Sequence, residues 1–187
     1  MFSSQEYLDK KTGPYGIGRL SYLQSLVTEY EETSSDDAKR QILANLANFG
    51  YDPLNYDYFR QLNVLDMFLD ALEEEDEKLV EFGMGGLCNV CLDKQNKEYI
   101  VKNDGIDLVQ KCLSRSNVET KVSALTTLMF LICPESKKDI LTSDFAKEML
   151  ELAESSNLRL SNLANIFLKD YFDENHVEEA RKSLQTL

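Results

Sequence analysis

Cys88 and Cys91, three residues apart, have the spacing of a redox or metal motif. A redox pair needs a helix N-terminus after a strand to lower its thiol pKa. A zinc site needs two further ligands. This pair falls in mid-helix, Cys112 and Cys133 occupy helical columns of their own, and His176 is the single histidine. The thiols are expected to act as buried small hydrophobes. His176, near the polar start of a last helix, is expected at the surface or in a cap. No Ser/His/Asp constellation, H-E-x-x-H or P-loop is present. Gly13, Gly16 and Gly18 mimic a glycine-rich loop, but no strand precedes them and the dinucleotide fingerprint fails. The expectation is a non-enzyme with no cofactor, no metal site and no catalytic residue.

Composition narrows the class. The chain has 187 residues, 20 basic against 33 acidic, for a net charge of −13, with 43% hydrophobic residues. That composition is globular, and the length can bury a core without disulfides or metals. One domain is the expectation. No apolar run approaches the ~20 residues of a membrane span. The first 18 residues have no apolar h-region, so a secretory signal is not expected, and reduced thiols fit cytosol or nucleus. Clustered Lys and Arg, which phosphate-backbone binding requires, are lacking. A basic or neutral protein partner is expected, with neither nucleic acid nor membrane.

The elements that place these residues repeat. A shift of 41 residues aligns Leu43, Met84 and Leu125, then Leu46, Leu87 and Leu128, then Phe49, Val90 and Leu131. These columns lie on one side of a helix. A further shift of 35 brings Leu160, Leu163 and Ile166 under them. Asn55, Tyr58 and Phe59 align with Asn96, Tyr99 and Ile100, and Leu65, Phe68 and Leu72 with Ile106, Val109 and Leu113. Each unit therefore holds a short, a medium and a long helix. Long helices are expected near 36–50, 76–92, 117–132 and 157–171, short ones near 54–61, 95–102 and 136–142, and medium ones near 63–73, 104–114 and 144–154. Ser35 and a capping box at Ser116–Glu119 mark two long-helix starts. Asp52-Pro53 and Cys133-Pro134 mark stops. A capping helix at 17–32, with Leu20, Leu23, Val27 and Tyr30 as its stripe, precedes repeats over about 36–171. A second at 175–187 follows, and residues 1–16 read as a mobile tail.

The segments Asn45-Leu46-Ala47-Asn48-Phe49 and Gly86-Leu87-Cys88-Asn89-Val90, each followed by a short and a medium helix, resemble armadillo repeats. So does the Asn103-Asp104-Gly105-Ile106 turn, as the small-residue junction between the first two helices. The resemblance implies an all-α fold: a short right-handed α-solenoid of about three and a half repeats with capping helices. Over the whole chain the likeness is to a small eukaryotic branch of the family. It implies a nuclear protein associated with pre-mRNA splicing through a forkhead-associated-domain Smad nuclear-interacting protein.

The resemblance also implies a site. Asn48, Asn89 and Asn165 fall in the column of the asparagine with which armadillo proteins hold a peptide backbone, and Phe130 takes that place in the third repeat. A side-chain amide offers a donor and an acceptor to a backbone of any sequence. Alternatively, each amide caps its own repeat's loop. Four residues earlier the nuclear-import members carry tryptophan, and here stand Ala44, Gly85, Thr126 and Ser161. No tryptophan occurs, so the lysine-clamping shelf of an import receptor is missing and an open floor replaces it. Three glycines, Gly83, Gly85 and Gly86, each cost a helix about 1 kcal/mol against alanine. Gly83 and Gly86 share core columns, where close packing explains them, and Gly85 faces the ligand side. The acidic run Glu73–Glu77 is either a solvated loop or a dock for a basic segment. Tyr58 and Phe59 share core columns, while Tyr51 and Tyr56 are freer. Two functions remain. One is a scaffold binding a peptide-like segment of a basic or disordered partner in the concave groove. The other is a structural subunit using its convex face or ends.

Overall fold

The structure is a computed structural model that describes residues 2–4, 6, 7, 10 and 16–185. Of the expected tail, residues 1, 5, 8, 9 and 11–15, Gly13 among them, lie outside these. Among the described residues the secondary structure is helical: α1 Arg19–Glu32, α2 Asp36–Phe49, α3 Tyr56–Gln61, α4 Val64–Ala71, α5 Glu77–Val90, α6 Lys94–Lys102, α7 Gly105–Lys111, α8 Val118–Leu131, α9 Lys137–Ile140, α10 Ser143–Ala153, α11 Leu158–Tyr171 and α12 Glu174–Gln185, with 3-10 turns at Pro53–Asn55 and Cys112–Ser114.

Short polar residues start the four long helices, α2, α5, α8 and α11. Ser35 Oγ accepts from the Ala38 N–H, Asp76 from that of Lys78, Asn117 from those of Glu119 and Thr120, and Asn157 from those of Arg159 and Leu160. Each satisfies first-turn donors that lack a helical partner. The cap of α8 is thus Asn117 and not the expected Ser116, because the helix begins one residue later.

The long helices are each 14 residues. Their starts are 41, 41 and 40 residues apart, so the 35-residue shift expected for the last repeat is wrong. The helix α11 buries Leu160, Ala164, Phe167 and Leu168, whereas Leu163 is half-buried and Ile166 exposed. A shift of 35 in place of 40 turns a helix of 3.6 residues per turn by more than a third of a revolution. That rotation exchanges core positions for outward ones.

The chain forms two compact units, Met1–Leu108 and Val109–Leu187. In the first, α2 packs on α1 and α5, and α4 packs on α5. Leu43, Leu46, Met84, Leu87, Phe59 and Phe68 are fully buried there. Leu26 joins the stripe of α1, while Leu20 at its edge is exposed. In the second, α11 packs on α8 and α10, and α12 covers α10. Phe145 and Phe167 meet edge to face at 5.1 Å at its centre.

The same joints recur along the chain. Asn55 and Asn96 donate their side-chain N–H to Phe49 O and Val90 O at 2.7 and 3.1 Å, and Ser136 Oγ donates to Leu131 O at 2.7 Å. All three are buried, and each caps the carbonyl end of the long helix before it. Asn63 and Asp104, again 41 residues apart, take left-handed backbone with φ of 53° and 55° where the short helix turns into the medium one. Gly105 follows Asp104 because a Cβ there would lie 2.6 Å from the Ile100 carbonyl oxygen.

Candidate functional site

With the helix starts aligned in sequence, the ninth and the thirteenth residues of the long helices make two columns. The ninth are Ala44, Gly85, Thr126 and Ile166, and the thirteenth are Asn48, Asn89, Phe130 and Asp170; none of the eight is buried. Asn165 and Ser161 therefore do not belong to these columns, contrary to expectation, and Ile166 and Asp170 replace them. The Ser161 hydroxyl donates to Ala153 O at 2.7 Å, tying down the end of α10. Asn165 donates to Ser161 O at 2.8 Å and lines a surface crevice with Leu168, Val177 and Arg181.

In the first unit, Asn48 is exposed, and its side chain has no hydrogen bond among the described residues. Asn89 is half-buried and donates through Nδ2 to Ala47 O, 3.0 Å away in the preceding long helix. It caps neither its own loop nor its own helix, and its Oδ1 is left facing no protein donor among the described residues. The backbone carbonyl of Asn89 accepts from the Tyr56 hydroxyl at 2.9 Å. Tyr56 is 8% exposed and so belongs to the core rather than to the free aromatics. Tyr51 is the exposed member of that cluster.

The three glycines of α5 separate by contact. A Cβ on Gly83 would lie 2.7 Å from Ala71 Cβ, and one on Gly86 2.5 Å from the Phe68 ring. One on Gly85 would meet nothing within 4 Å. Packing explains the first two and leaves Gly85 as an open place one turn before Asn89 on α5.

Charge around this unit is mostly negative. Burial, followed by Asp66 and Glu73, holds the Asp70 carboxyl above the usual carboxylate range. Burial, Glu74 and Asp70 push the Tyr30 phenol up. The acidic run Glu73–Glu77 is partly structural, because Asp76 caps α5 and pairs with Arg40 at 2.6 Å. Desolvation would raise the Asp76 carboxyl, but the Lys78 N–H and Arg40 outweigh it and its pKa falls.

In the second unit, the outward columns mix the apolar Phe130 and Ile166 with Thr126 and Asp170. Phe130 is 37% and Ile166 45% exposed, and Thr126 turns its hydroxyl back onto Val122 O at 2.8 Å. Glu119 and Arg159, the second residues of α8 and α11, pair through two bonds of 2.5 and 3.0 Å. The Arg159 hydrogen bond lowers the Glu119 pKa against the desolvation that raises it.

Among the described residues no group of three or more His, Cys, Asp or Glu is placed to hold a metal ion. The Cys91 thiol donates to its own helix at Cys88 O, 3.3 Å away. Cys91 and Cys112 are buried as expected, but Cys88 and Cys133 are only half-buried. His176 is exposed in the first turn of α12, where Asp173 Oδ1 accepts from its backbone N–H at 2.9 Å. What this surface offers is hydrogen bonds and an open floor.

Repeats of a short, a medium and a long helix, with an outward asparagine near the end of the first two long ones, define an armadillo-type α-solenoid. No family model matches the chain. It is 52% identical over 166 residues to armadillo repeat-containing protein 7 of Mus musculus, covering 88% of this chain and 84% of that one. The chain belongs to the armadillo repeat-containing protein 7 family. Among solved structures, an engineered protein superposes with a TM-score of 0.69 at 15% identity, over 84% of this chain and 63% of its own. Computationally designed armadillo repeat proteins for modular peptide recognition match at a TM-score of 0.68 and 12% identity, over 88% of this chain and 82% of theirs. A designed armadillo repeat protein in complex with the peptide (KR)4 matches at the same TM-score and identity, over 87% and 80%. At these identities the likeness is one of fold.

Proposed function

We propose that this chain is an adaptor that holds an extended, basic segment of a partner protein on the outward face of its long helices. The observation that carries this reading is Gly85. It costs α5 about 1 kcal/mol against alanine, yet no neighbour occupies the space its missing side chain leaves. One turn further along α5 is Asn89, and Asn48 holds the equivalent place on α2; their amides are available to a partner's backbone N–H and C=O. The net charge of −13 favours Lys and Arg in that segment and speeds their approach. The designed relative bound to (KR)4 supports a basic peptide on this fold. On the second unit, Phe130 and Ile166 offer anchorage for an apolar side chain.

The likeness to a nuclear, splicing-associated branch of the family supports action in the nucleus. It also supports a forkhead-associated-domain Smad nuclear-interacting protein as partner. Parallel affinity capture from nuclear extract with wild-type, Gly85→Trp and Lys97→Ala baits, Lys97 lying on the short helix α6 and not on a long one, tests both points. The proposal expects one set of splicing proteins on the first and third baits and its loss from the second. Equal recovery on all three contradicts the face, and a set free of splicing proteins contradicts the cellular assignment.

A further inference from the structure

Arg60 joins two successive repeats of the first unit. Its Nη1 donates to Asp93 Oδ1 at 2.8 Å and to Asn96 Oδ1 at 2.6 Å, and its other amino group pairs with Asp57. Asp93 caps α6, and Asn96 spends its N–H on Val90 O, so the arginine satisfies what those residues have left.

One repeat earlier, the receiving half of this joint is present without its arginine. Asp52 and Asn55 stand 41 residues before Asp93 and Asn96 and do the same work. Asp52 Oδ1 accepts from the Leu54 N–H at 3.3 Å, and Asn55 donates to Phe49 O at 2.7 Å. Asn55 is 1% exposed, and its Oδ1 has no hydrogen-bond partner among the described residues. A buried amide oxygen left unpaired costs about 1–3 kcal/mol. The chain does carry an arginine at the equivalent place, Arg19, but its guanidinium lies on the Phe49 ring, 4.7 Å from the centroid. The Asn55 oxygen is enclosed, so the groups over it move aside when a ligand enters. The Ser3 N–H donates to Asp52 Oδ2 at 3.1 Å, and the Phe2 ring touches Tyr51, both rings being more than half exposed.

We propose that Asp52 and Asn55 form a socket for an arginine side chain of a partner protein. The guanidinium would take the position toward them that Arg60 takes toward Asp93 and Asn96. The orphaned Asn55 oxygen selects a donor, the Asp52 carboxylate selects a cation, and the filled copy shows that a guanidinium fits both. A planar fork can hold these two acceptors and keep a second amino group for a third, which a lysine ammonium reproduces poorly. The net charge of −13 draws such a residue in. Entry brings a charged donor to Asp52 Oδ1, the oxygen that corresponds to Asp93 Oδ1, while the Ser3 N–H is on the other oxygen, Oδ2. This inference does not depend on the Asn48–Gly85–Asn89 face.

The test is a nuclear magnetic resonance titration of the full-length, nitrogen-15-labelled chain with acetyl-Gly-Arg-Gly-amide and its lysine counterpart. The expected result is a saturable shift of the Asn55 side-chain N–H and the Leu54 amide, with roughly tenfold weaker binding of the lysine peptide. Asp52→Asn, which keeps a good cap, and Asp52→Ser, a second variant in case the first misfolds, should weaken the arginine peptide about tenfold. Lys97→Ala, on the short helix α6, should leave it unchanged. The proposal is overturned if lysine binds equally or if neither Asp52 variant weakens the response. It is also overturned if Asn55 stays still, or if only Arg19→Gln binds, which would mean that Arg19 fills the socket in solution.

Discussion

The Asn89 side chain donates one N–H to Ala47 O at 3.0 Å, so the amide serves the stacking of two long helices and keeps its oxygen and one N–H for a ligand. Asn48, in the equivalent place one repeat earlier, is exposed and has both halves of its amide to offer. Equivalence in the column is therefore not equivalence of role.

This contrast gives the first expectation. Asn89→Ala should lower stability by about 1 kcal/mol, the usual net worth of such a bond. Asn48→Ala should stay within about 0.5 kcal/mol of wild type, as exposed substitutions do. Urea denaturation of the two variants checks this. A larger loss for Asn48→Ala would mean that its amide has a structural duty.

The glycines of α5 should separate in sign. Gly85→Ala meets open space and should stabilise the chain by up to about 1 kcal/mol through helix propensity. Gly86→Ala drives a methyl into the fully buried Phe68 ring and should cost about 1–3 kcal/mol. Thermal melts of the two variants, made side by side, decide this, and equal effects would contradict the packing argument.

The buried caps should be among the costliest polar residues to remove. Asn55→Ala and Asn96→Ala each strand a long-helix carbonyl, and about 1–3 kcal/mol is expected for each. Asn96→Ala should lie at the upper end, because it also takes an acceptor from Arg60. Denaturant midpoints measure the difference. A smaller loss at Asn96 would contradict the joint described between Arg60 and Asn96.

The repeat was legible because its columns are core columns. Leu43, Met84 and Leu125 align in sequence and are all fully buried. Register was lost in the last repeat. There the stretch from α8 to α11 carries few matched apolar pairs, and a 35-residue shift brought Asn165 under Asn89. The N-caps Ser35, Asp76, Asn117 and Asn157 would have fixed the 40-residue step. Asn55 and Asn96 were visible as a polar column among apolar ones, which is the mark of a buried cap. Arg60 gave no such sign, since an arginine on a short helix is ordinary until its acceptors are placed around it.

Asp70 sets a pH dependence. Its folded pKa is raised, first by burial and then by Asp66 and Glu73, so its ionisation opposes folding at neutral pH. That opposition is relieved as pH falls through the raised pKa. Asp70→Asn should therefore stabilise the chain at pH 7, and its advantage should shrink on acidification. Melting temperatures of both proteins across the acid range test this, and a gap that widens toward low pH would reverse the sign assigned to Asp70.

The most direct measurement of the adaptor reading is calorimetric titration of the peptide (KR)4 into wild type, Asn48→Ala, Gly85→Trp and Lys97→Ala, each first shown to be helical by circular dichroism. The account predicts binding by wild type and an unchanged Lys97→Ala. It predicts roughly five- to tenfold weaker binding by Asn48→Ala and loss of binding by Gly85→Trp. Equal affinity in all four would contradict it, and would move the partner's contacts off the long-helix face.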